Sequence, residues 1–376
     1  MDHKTLIDEV LASFLLPAEF DLSEVKISSL CSGLIHSTWK CEFTASTSYV
    51  LQQMNANVFT EPALVCNNIN LVSKYLKSAA PTYLSIDLVP TRSGELLLKK
   101  NSSNPLYFRL FRFINDSVVY QTVNSEEIAY QAAKQFGKFA NLLSGMNSEE
   151  LHVTLQNFHN LSFRYDEFDA ALTSIKNSSI DMNSLGHERM VEVHDHIQYL
   201  QSLKADIVDA FEVIQSQGDS ILKKRVMHHD TKISNVLFNR VNEGICVIDL
   251  DTLMPGYFIS DVGDMMRTYL CPVDENEPDF SKISIRNNYF HAIVAGYISE
   301  MGSELSATEK KYFHYAGKFM IYMQALRFLT DYLNGDKYYP IAYEKQNLTR
   351  SINQITLLKE YIDKKNELEM MIASLI

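Results

Sequence analysis

Arg225-Val-Met-His-His-Asp-Thr-Lys-Ile-Ser-Asn-Val-Leu-Phe-Asn-Arg-Val-Asn-Glu-Gly-Ile-Cys-Val-Ile-Asp-Leu-Asp251 is the stretch on which the reading of this chain turns. Val226-Met227 is a short apolar run that enters a polar loop. Val236–Phe238 is apolar, Asn242-Glu243-Gly244 has turn chemistry, and Ile245–Ile248 is apolar again. This pattern predicts a β-hairpin. Fourteen residues separate Asn235 from Asp249, seven down and seven back. A hairpin turning at 242–244 therefore returns Asp249 beside Asn235. It brings an amide oxygen and a carboxylate together next to Asp230.

On the N-terminal side of this stretch the chain is rich in strand signals. Val25–Ile27, Trp39–Phe43, Tyr49–Met54, Glu95–Lys99 and Tyr107–Ile114 carry β-forming residues bounded by turn signals. Pro62 opens a helix with Leu64, Val65, Ile69, Val72 and Leu76 on one stripe. Beyond Asn115-Asp116 the pattern turns helical. Asn124-Ser125-Glu126-Glu127 is an N-terminal cap signal, followed by Ile128, Ala132, Phe136, Phe139 and Leu143 on one face, closing near Gly145. Residues 187–216, 306–334 and 347–373 predict three further helices. The expected class is α+β, with a strand-rich N-terminal lobe (1–113) and a larger helical C-terminal lobe (114–376).

Composition narrows the function classes. A chain of 376 residues with 46% hydrophobic and 21% charged residues is a folded, two-domain composition. Its net charge of -12 argues against nucleic acid as a partner. No apolar run is long enough to span a membrane, and the N-terminal residues read as an amphipathic helix rather than a signal peptide. Five cysteines without a C-x-x-C spacing point to a reducing cytoplasm, with neither a zinc cage nor a disulfide framework.

The spacing His228-x-Asp230-x-Lys232-x-x-Asn235, followed by Asp249, is the catalytic-loop logic of kinases. An aspartate accepts the proton of the attacking hydroxyl. An asparagine and a later aspartate hold a hard cation such as magnesium, which takes few protein ligands plus substrate phosphates. Lys232 is placed to neutralise the transferring phosphoryl group. This segment resembles the aminoglycoside phosphotransferase / choline kinase superfamily. The blocks Gly33–Thr38, Tyr49–Asn55, Asn57–Phe59, Arg109–Phe111, Ala132–Gly137, Val247–Gly256 and Arg327–Asp336 resemble bacterial N-acetylhexosamine 1-kinases. The resemblance implies a protein-kinase-like two-lobed fold with its active site, and ATP, in the cleft. The implied reaction is ATP- and Mg2+-dependent phosphorylation of the anomeric hydroxyl of N-acetylglucosamine or N-acetylgalactosamine. Asp230 would be the base, Asn235 and Asp249 the metal ligands, and Asp261 a brace of the catalytic loop together with His228.

The remaining candidates rest on single positions. Gly33 and its neighbours through Ser37 would form a turn over the ATP phosphates, although an ordinary hairpin turn explains them equally well. Kinases place a lysine on the strand where this chain offers Gln52. Phe111 and Phe113 fall where adenine would be held, and an aromatic strand edge packed into a core is the competing explanation. Asp251, if on a strand, would share a side with Asp249 and touch metal or sugar; a supporting role is the alternative. Arg327 and Tyr338 would hold and cover a sugar, through a planar donor fork and an aromatic face. Asp264 and Arg267, one turn apart, read as a helix ion pair. Two competing functions remain: a kinase of the same fold acting on an aminoglycoside, choline, ethanolamine or homoserine, and a nucleotide-binding pseudokinase.

Overall fold

The structure, a computed structural model, describes residues 3–18, 20–30, 35–100, 104–177 and 185–376. The chain divides into two compact units, each assembled from several segments. The first comprises Met1–Val119, Leu142–Gln156 and Asn235–Pro255; the second comprises Tyr120–Asn141, Asn157–Ser234 and Gly256–Ile376.

The first unit is built on an antiparallel sheet of β1 (Lys26–Ser29), β2 (Ser37–Glu42), β3 (Ser48–Met54), β4 (Leu98–Lys100) and β5 (Leu106–Arg112), in the order β1-β2-β3-β5-β4. Period-two alternation gives the sheet two different faces. Trp39 and Cys41, Tyr49 and Leu51, and Phe108 and Leu110 pack with Ile7, Val10, Leu11 and Phe14 into one apolar core. The last four come from helix α1 (His3–Ala12) and the turn after it. Thr38, Gln52 and Arg109 belong to the opposite face. They form one cross-strand row, with Thr38 paired to Gln52 and Gln52 to Arg109. Helix α2 (Pro62–Ala79) begins at its proline, where the missing N–H costs nothing. Strand β4 is shorter than the Glu95–Lys99 expectation. Gly94, at φ 90°, closes a turn in which Glu95 N–H donates to Thr91 Oγ1, and this turn keeps residues 92–97 out of the sheet.

The second unit is helical. Its centre is the helix Phe313–Leu333, buried on almost every side, as a helix without a polar face must be. The helices Phe258–Tyr269 and Gln346–Asp363 pack against it. Gly263 makes the first approach possible, because a Cβ there would lie 2.3 Å from the carbonyl oxygen of Ala316. Helix α3 (Glu126–Leu142) is capped by Ser125, whose hydroxyl accepts from Ile128 N–H at 3.2 Å. The expected helix over 187–216 is three helices, Leu185–Glu192, His194–Ser202 and Lys204–Gln217. The helices part at Val193 (φ -106°, ψ 17°) and Leu203 (φ -90°, ψ -2°), where no side chain caps the breaks. The helix expected from 306 is likewise divided. A Ser306/Glu309 capping box starts a four-residue helix before the long one, and the C-terminal pair breaks at Lys364. No helix of the described residues is long and apolar enough to cross a membrane. Cys41, Cys66, Cys246 and Cys271 are free and buried.

Candidate active site

In the second unit the loop after the buried strand Arg225–Met227 hangs on the helix Phe258–Tyr269. Asp261 is the main hook. Its carboxylate accepts from the backbone N–H groups of His228 (3.1 Å) and His229 (2.8 Å). Its own carbonyl accepts the Thr231 hydroxyl at 2.7 Å. Asp264, one turn on, accepts Thr231 N–H at 2.8 Å, and Tyr269 donates its hydroxyl to Thr231 C=O at 2.6 Å. Asp264 also meets Arg267 at 3.0 Å, and Arg267 reaches on to Glu275 at 3.0 Å. The expected helix ion pair is therefore also a loop anchor. Burial pushes the Asp261 carboxyl up to about 7, against the two N–H donors that favour its charged form.

This scaffold sets the chain direction at Asp230. His229 takes a left-handed φ of 64°, and His228 lies fully buried, edge-on to Phe136 and Phe139. The Asp230 N–H donates to His228 Nδ1 at 3.3 Å. Lys232 Nζ lies 3.0 Å from Asp230 Oδ2, and both side chains keep solvent access, 46% and 20% respectively.

The same unit gathers a second group around His229. His159 stacks on Phe158 and meets His229 edge-on at 5.2 Å. Burial, with His229, Arg327, Arg164 and Arg267 around it, holds the His159 imidazole far below its usual range and so neutral. Its Nδ1 is buried with no partner among the described residues, as is the hydroxyl of Tyr339. Arg327 lies over three rings, Phe158 (5.7 Å), Tyr338 (5.8 Å) and Tyr339 (5.4 Å), and its hydrogen-bond partner is the Gln324 amide at 3.0 Å. Tyr338 is 67% exposed, whereas Tyr339 packs on Phe328. Asp331 shapes this loop. Its carboxylate accepts from the N–H groups of Lys337, Tyr338 and Tyr339 at 2.8–2.9 Å.

In the first unit the hairpin forms from Val236–Phe238 and Gly244–Val247, antiparallel, with an irregularity between Leu237 and Phe238. Its turn lies slightly earlier than 242–244. Asn239 caps it, accepting from Val241 N–H and Glu243 N–H, while Asn242 takes a φ of 66°. The register places Ile248 opposite Asn235, with Ile248 N–H donating to Asn235 C=O at 2.9 Å. Asp249 follows in left-handed geometry (φ 57°, ψ 59°) and opens a one-turn 3-10 helix, Leu250–Thr252. Asp251 is thus in a helical turn, not on a strand.

Asp251 is 3% exposed and fully engaged. Arg109 Nη1 and Nη2 meet its two oxygens at 2.5 and 2.8 Å, and His36 Nε2 lies 2.6 Å from Oδ2. Burial would raise this carboxyl, but the Arg109 charge and the bonds from His36 and Arg109 hold it well below the carboxylate range. Gln52 joins the same group: its Oε1 accepts from Arg109 Nε at 2.9 Å, and its Nε2 donates to Thr38 Oγ1 at 3.2 Å. Phe111 is buried beside Arg109, with the guanidinium 5.0 Å from its ring. Phe113 carries Lys40 over its ring at 4.5 Å, and its N–H donates to Ser48 C=O. That N–H is therefore committed to the sheet. Ser37 opens β2, and Gly33 lies outside the described residues.

Sequence reasoning assigned no role to His36, Arg109, His159, Asp331 or Tyr339. Arg109 carried a visible signal, a cation within the apolar run Tyr107–Phe111. His36 and His159 meet partners from distant segments, Asp251 and His229, while Asp331 accepts from the nearby Tyr339 N–H in a hydrogen bond that follows no motif.

A model of the phosphotransferase enzyme family matches residues 26–280, well over half of the chain. Solved structures similar to it include an aminoglycoside phosphotransferase from Alicyclobacillus acidocaldarius subsp. acidocaldarius DSM 446, 12% identical over 95% of this chain and 97% of that one, with a TM-score of 0.63. A choline kinase from Cryptosporidium parvum Iowa II is 12% identical over 98% and 97%, with a TM-score of 0.56. An amicoumacin kinase in complex with AMP-PNP, Ca2+ and Ami is 12% identical over 97% and 94%, with a TM-score of 0.56. Fold and family agree: the chain belongs to the phosphotransferase enzyme family, has a kinase-like α+β fold, and is an enzyme that transfers a phosphoryl group to a hydroxyl acceptor.

Proposed function

We propose that the chain is an ATP- and Mg2+-dependent kinase that phosphorylates the anomeric hydroxyl of an N-acetylhexosamine, giving the sugar 1-phosphate and ADP. One observation favours a neutral sugar over the cationic acceptors. Arg164, Arg267 and Arg327 stand around a neutral His159, which meets His229, the neighbour of Asp230, edge-on. The carboxylates of Asp264 and Glu275 are taken up by Arg267. The three rings that would suit an ammonium already surround Arg327. Arg164 is paired with Glu167 at 2.7 Å, so choline, ethanolamine or an aminoglycoside would meet the Arg327 guanidinium, whose hydrogen-bond partner is a neutral amide. A pyranose with an acetamido carbonyl would meet donors.

Asp230 accepts the proton of the attacking hydroxyl as its oxygen bonds to the γ-phosphorus and the bond to the β-phosphate oxygen breaks. Lys232, 3.0 Å from that carboxylate, is suited to the charge of the transferring group. Asn235 and Asp249, just outside the two ends of the hairpin, offer an amide oxygen and a carboxylate, a sparse oxygen set that fits a magnesium ion keeping water and phosphate ligands. The ion, when bound, would neutralise phosphate charge and align the γ-phosphoryl group. Ser37 and Gly33 would contribute to the phosphate turn, and Phe111 and Phe113 to the nucleotide side of the sheet.

The test is ADP release with a panel of acceptors. N-acetylglucosamine or N-acetylgalactosamine should react, while choline, ethanolamine and kanamycin should not. Asp230→Asn should lower kcat by orders of magnitude and leave nucleotide affinity in place. Reaction of an amino alcohol in preference to both hexosamines would reject the acceptor assignment. Near-normal turnover of Asp230→Asn would reject the base.

A further inference from the structure

Asp249 lies in left-handed geometry, which aspartate tolerates better than most residues, and it begins a turn that its own side chain does not cap. Contacts from other segments pin the turn. Asn68 Nδ2 donates to Leu253 C=O at 3.0 Å and to His152 C=O at 2.8 Å, and Asn68 Oδ1 accepts from His152 N–H at 2.9 Å. Asp251 supplies another point of contact through Arg109 and His36. The imidazole is oriented in turn. Its Nδ1 accepts Asn55 N–H at 3.0 Å, so Nε2 carries the proton given to Asp251 Oδ2.

All three Arg109 nitrogens face these two side chains: Nε donates to Gln52, Nη2 donates to Asp251 Oδ2, and Nη1 lies 2.5 Å from Asp251 Oδ1. This accounts for the glutamine on β3. A lysine at position 52 would set an ammonium beside a guanidinium that is 1% exposed, and would remove the oxygen that Nε requires.

We propose that the Arg109–Asp251 pair, oriented by His36 and Gln52, is the positioning device that holds Asp249 in its metal-ligating turn. In this chain it replaces the lysine–glutamate pair that other kinases build from the strand lysine. Asp251 is then a positioning residue and not a contact of the acceptor. The inference rests on the reading of Asp249 as a metal ligand given above.

The test measures ADP binding calorimetrically across a Mg2+ titration, with Mn2+ binding followed by its paramagnetic signal and folding by thermal melts. In the wild type, Mg2+ should strengthen ADP binding. Asp251→Asn should leave Mg2+-free ADP binding unchanged and raise the Mg2+ and Mn2+ concentrations required by about 10–100-fold, the usual loss when a supporting partner of a metal ligand is removed. Gln52→Lys should act in the same direction rather than improve the enzyme. If Asp251→Asn does not fold, His36→Gln, which leaves the Arg109 pair intact, should shift the Mg2+ requirement in the same direction by less. An unchanged Mg2+ requirement in the folded variants, a rise confined to the acceptor KM, or a gain of kcat in Gln52→Lys overturns the proposal. Absence of any Mg2+ effect in the wild type would instead reject the metal-site reading itself.

Discussion

Replacing Asp261 by asparagine separates the two forces acting on the loop that carries Asp230. The wild-type carboxyl is 1% exposed and accepts two backbone N–H groups. Burial nevertheless dominates and places its folded pKa at about 7, against an ordinary 3.8. A pKa raised on folding stabilises the protein fully below the unfolded value and loses that contribution as pH rises through the folded one. Three units correspond to about 4 kcal/mol, lost between about pH 4 and pH 7. Asparagine does not titrate. It keeps one acceptor oxygen and turns an NH2 toward the other backbone N–H, at a cost of about 1–3 kcal/mol at every pH. Urea unfolding at pH 5, 6, 7 and 8 should therefore find Asp261→Asn less stable at low pH. The deficit should shrink or invert by pH 8. A wild-type minus variant difference that stays constant over this range would refute the reasoning, since it would mean that the two N–H donors keep Asp261 ionised throughout.

Three further outcomes follow from particular contacts. Gly263→Ala, which drives a methyl against the Ala316 carbonyl, should cost about 1–3 kcal/mol and lower Tm; a variant as stable as the wild type would mean that the two helices separate freely. Asp331→Ala removes the acceptor of the Lys337, Tyr338 and Tyr339 N–H groups, and should raise the acceptor KM several-fold more than the ATP KM; equal effects on both would uncouple this loop from the acceptor. Burial pushes the Cys41 and Cys246 thiols up to about 12 and Cys66 up to about 11. These three should stay silent to a thiolate-selective reagent at pH 8 until the protein is unfolded, and rapid labelling of any of them in the native protein would contradict their burial.

Much of the fold was legible because its signals are local. The alternation Trp39-Lys40-Cys41 and Tyr49-Val50-Leu51 marks strands with one apolar face, and Pro62 marks a helix start. The hairpin after Asn235 was visible in its apolar runs and turn residues. Its details were not: Asn239 rather than Asn242 sets the turn, through an Asx-turn, and the register then pairs Ile248, not Asp249, with Asn235. Asp251 was the clearest departure. Its spacing suggested a strand, whereas its conformation is decided by Arg109 and His36, which lie 142 and 215 residues away in sequence. The long helical windows failed where nothing in the sequence announces a break. Val193 and Leu203 lie in a helical pattern without glycine or proline, and no side chain caps either break.

The acceptor and the position of transfer carry the central claim. The direct measurement is a phosphorus NMR spectrum of the product formed from ATP, Mg2+ and N-acetylglucosamine or N-acetylgalactosamine. The account predicts a new phosphate monoester coupled to the anomeric proton, formed by the wild type and absent with Asp230→Asn. A phosphate on any other hydroxyl, or product formed only from an amino alcohol or aminoglycoside, would contradict it.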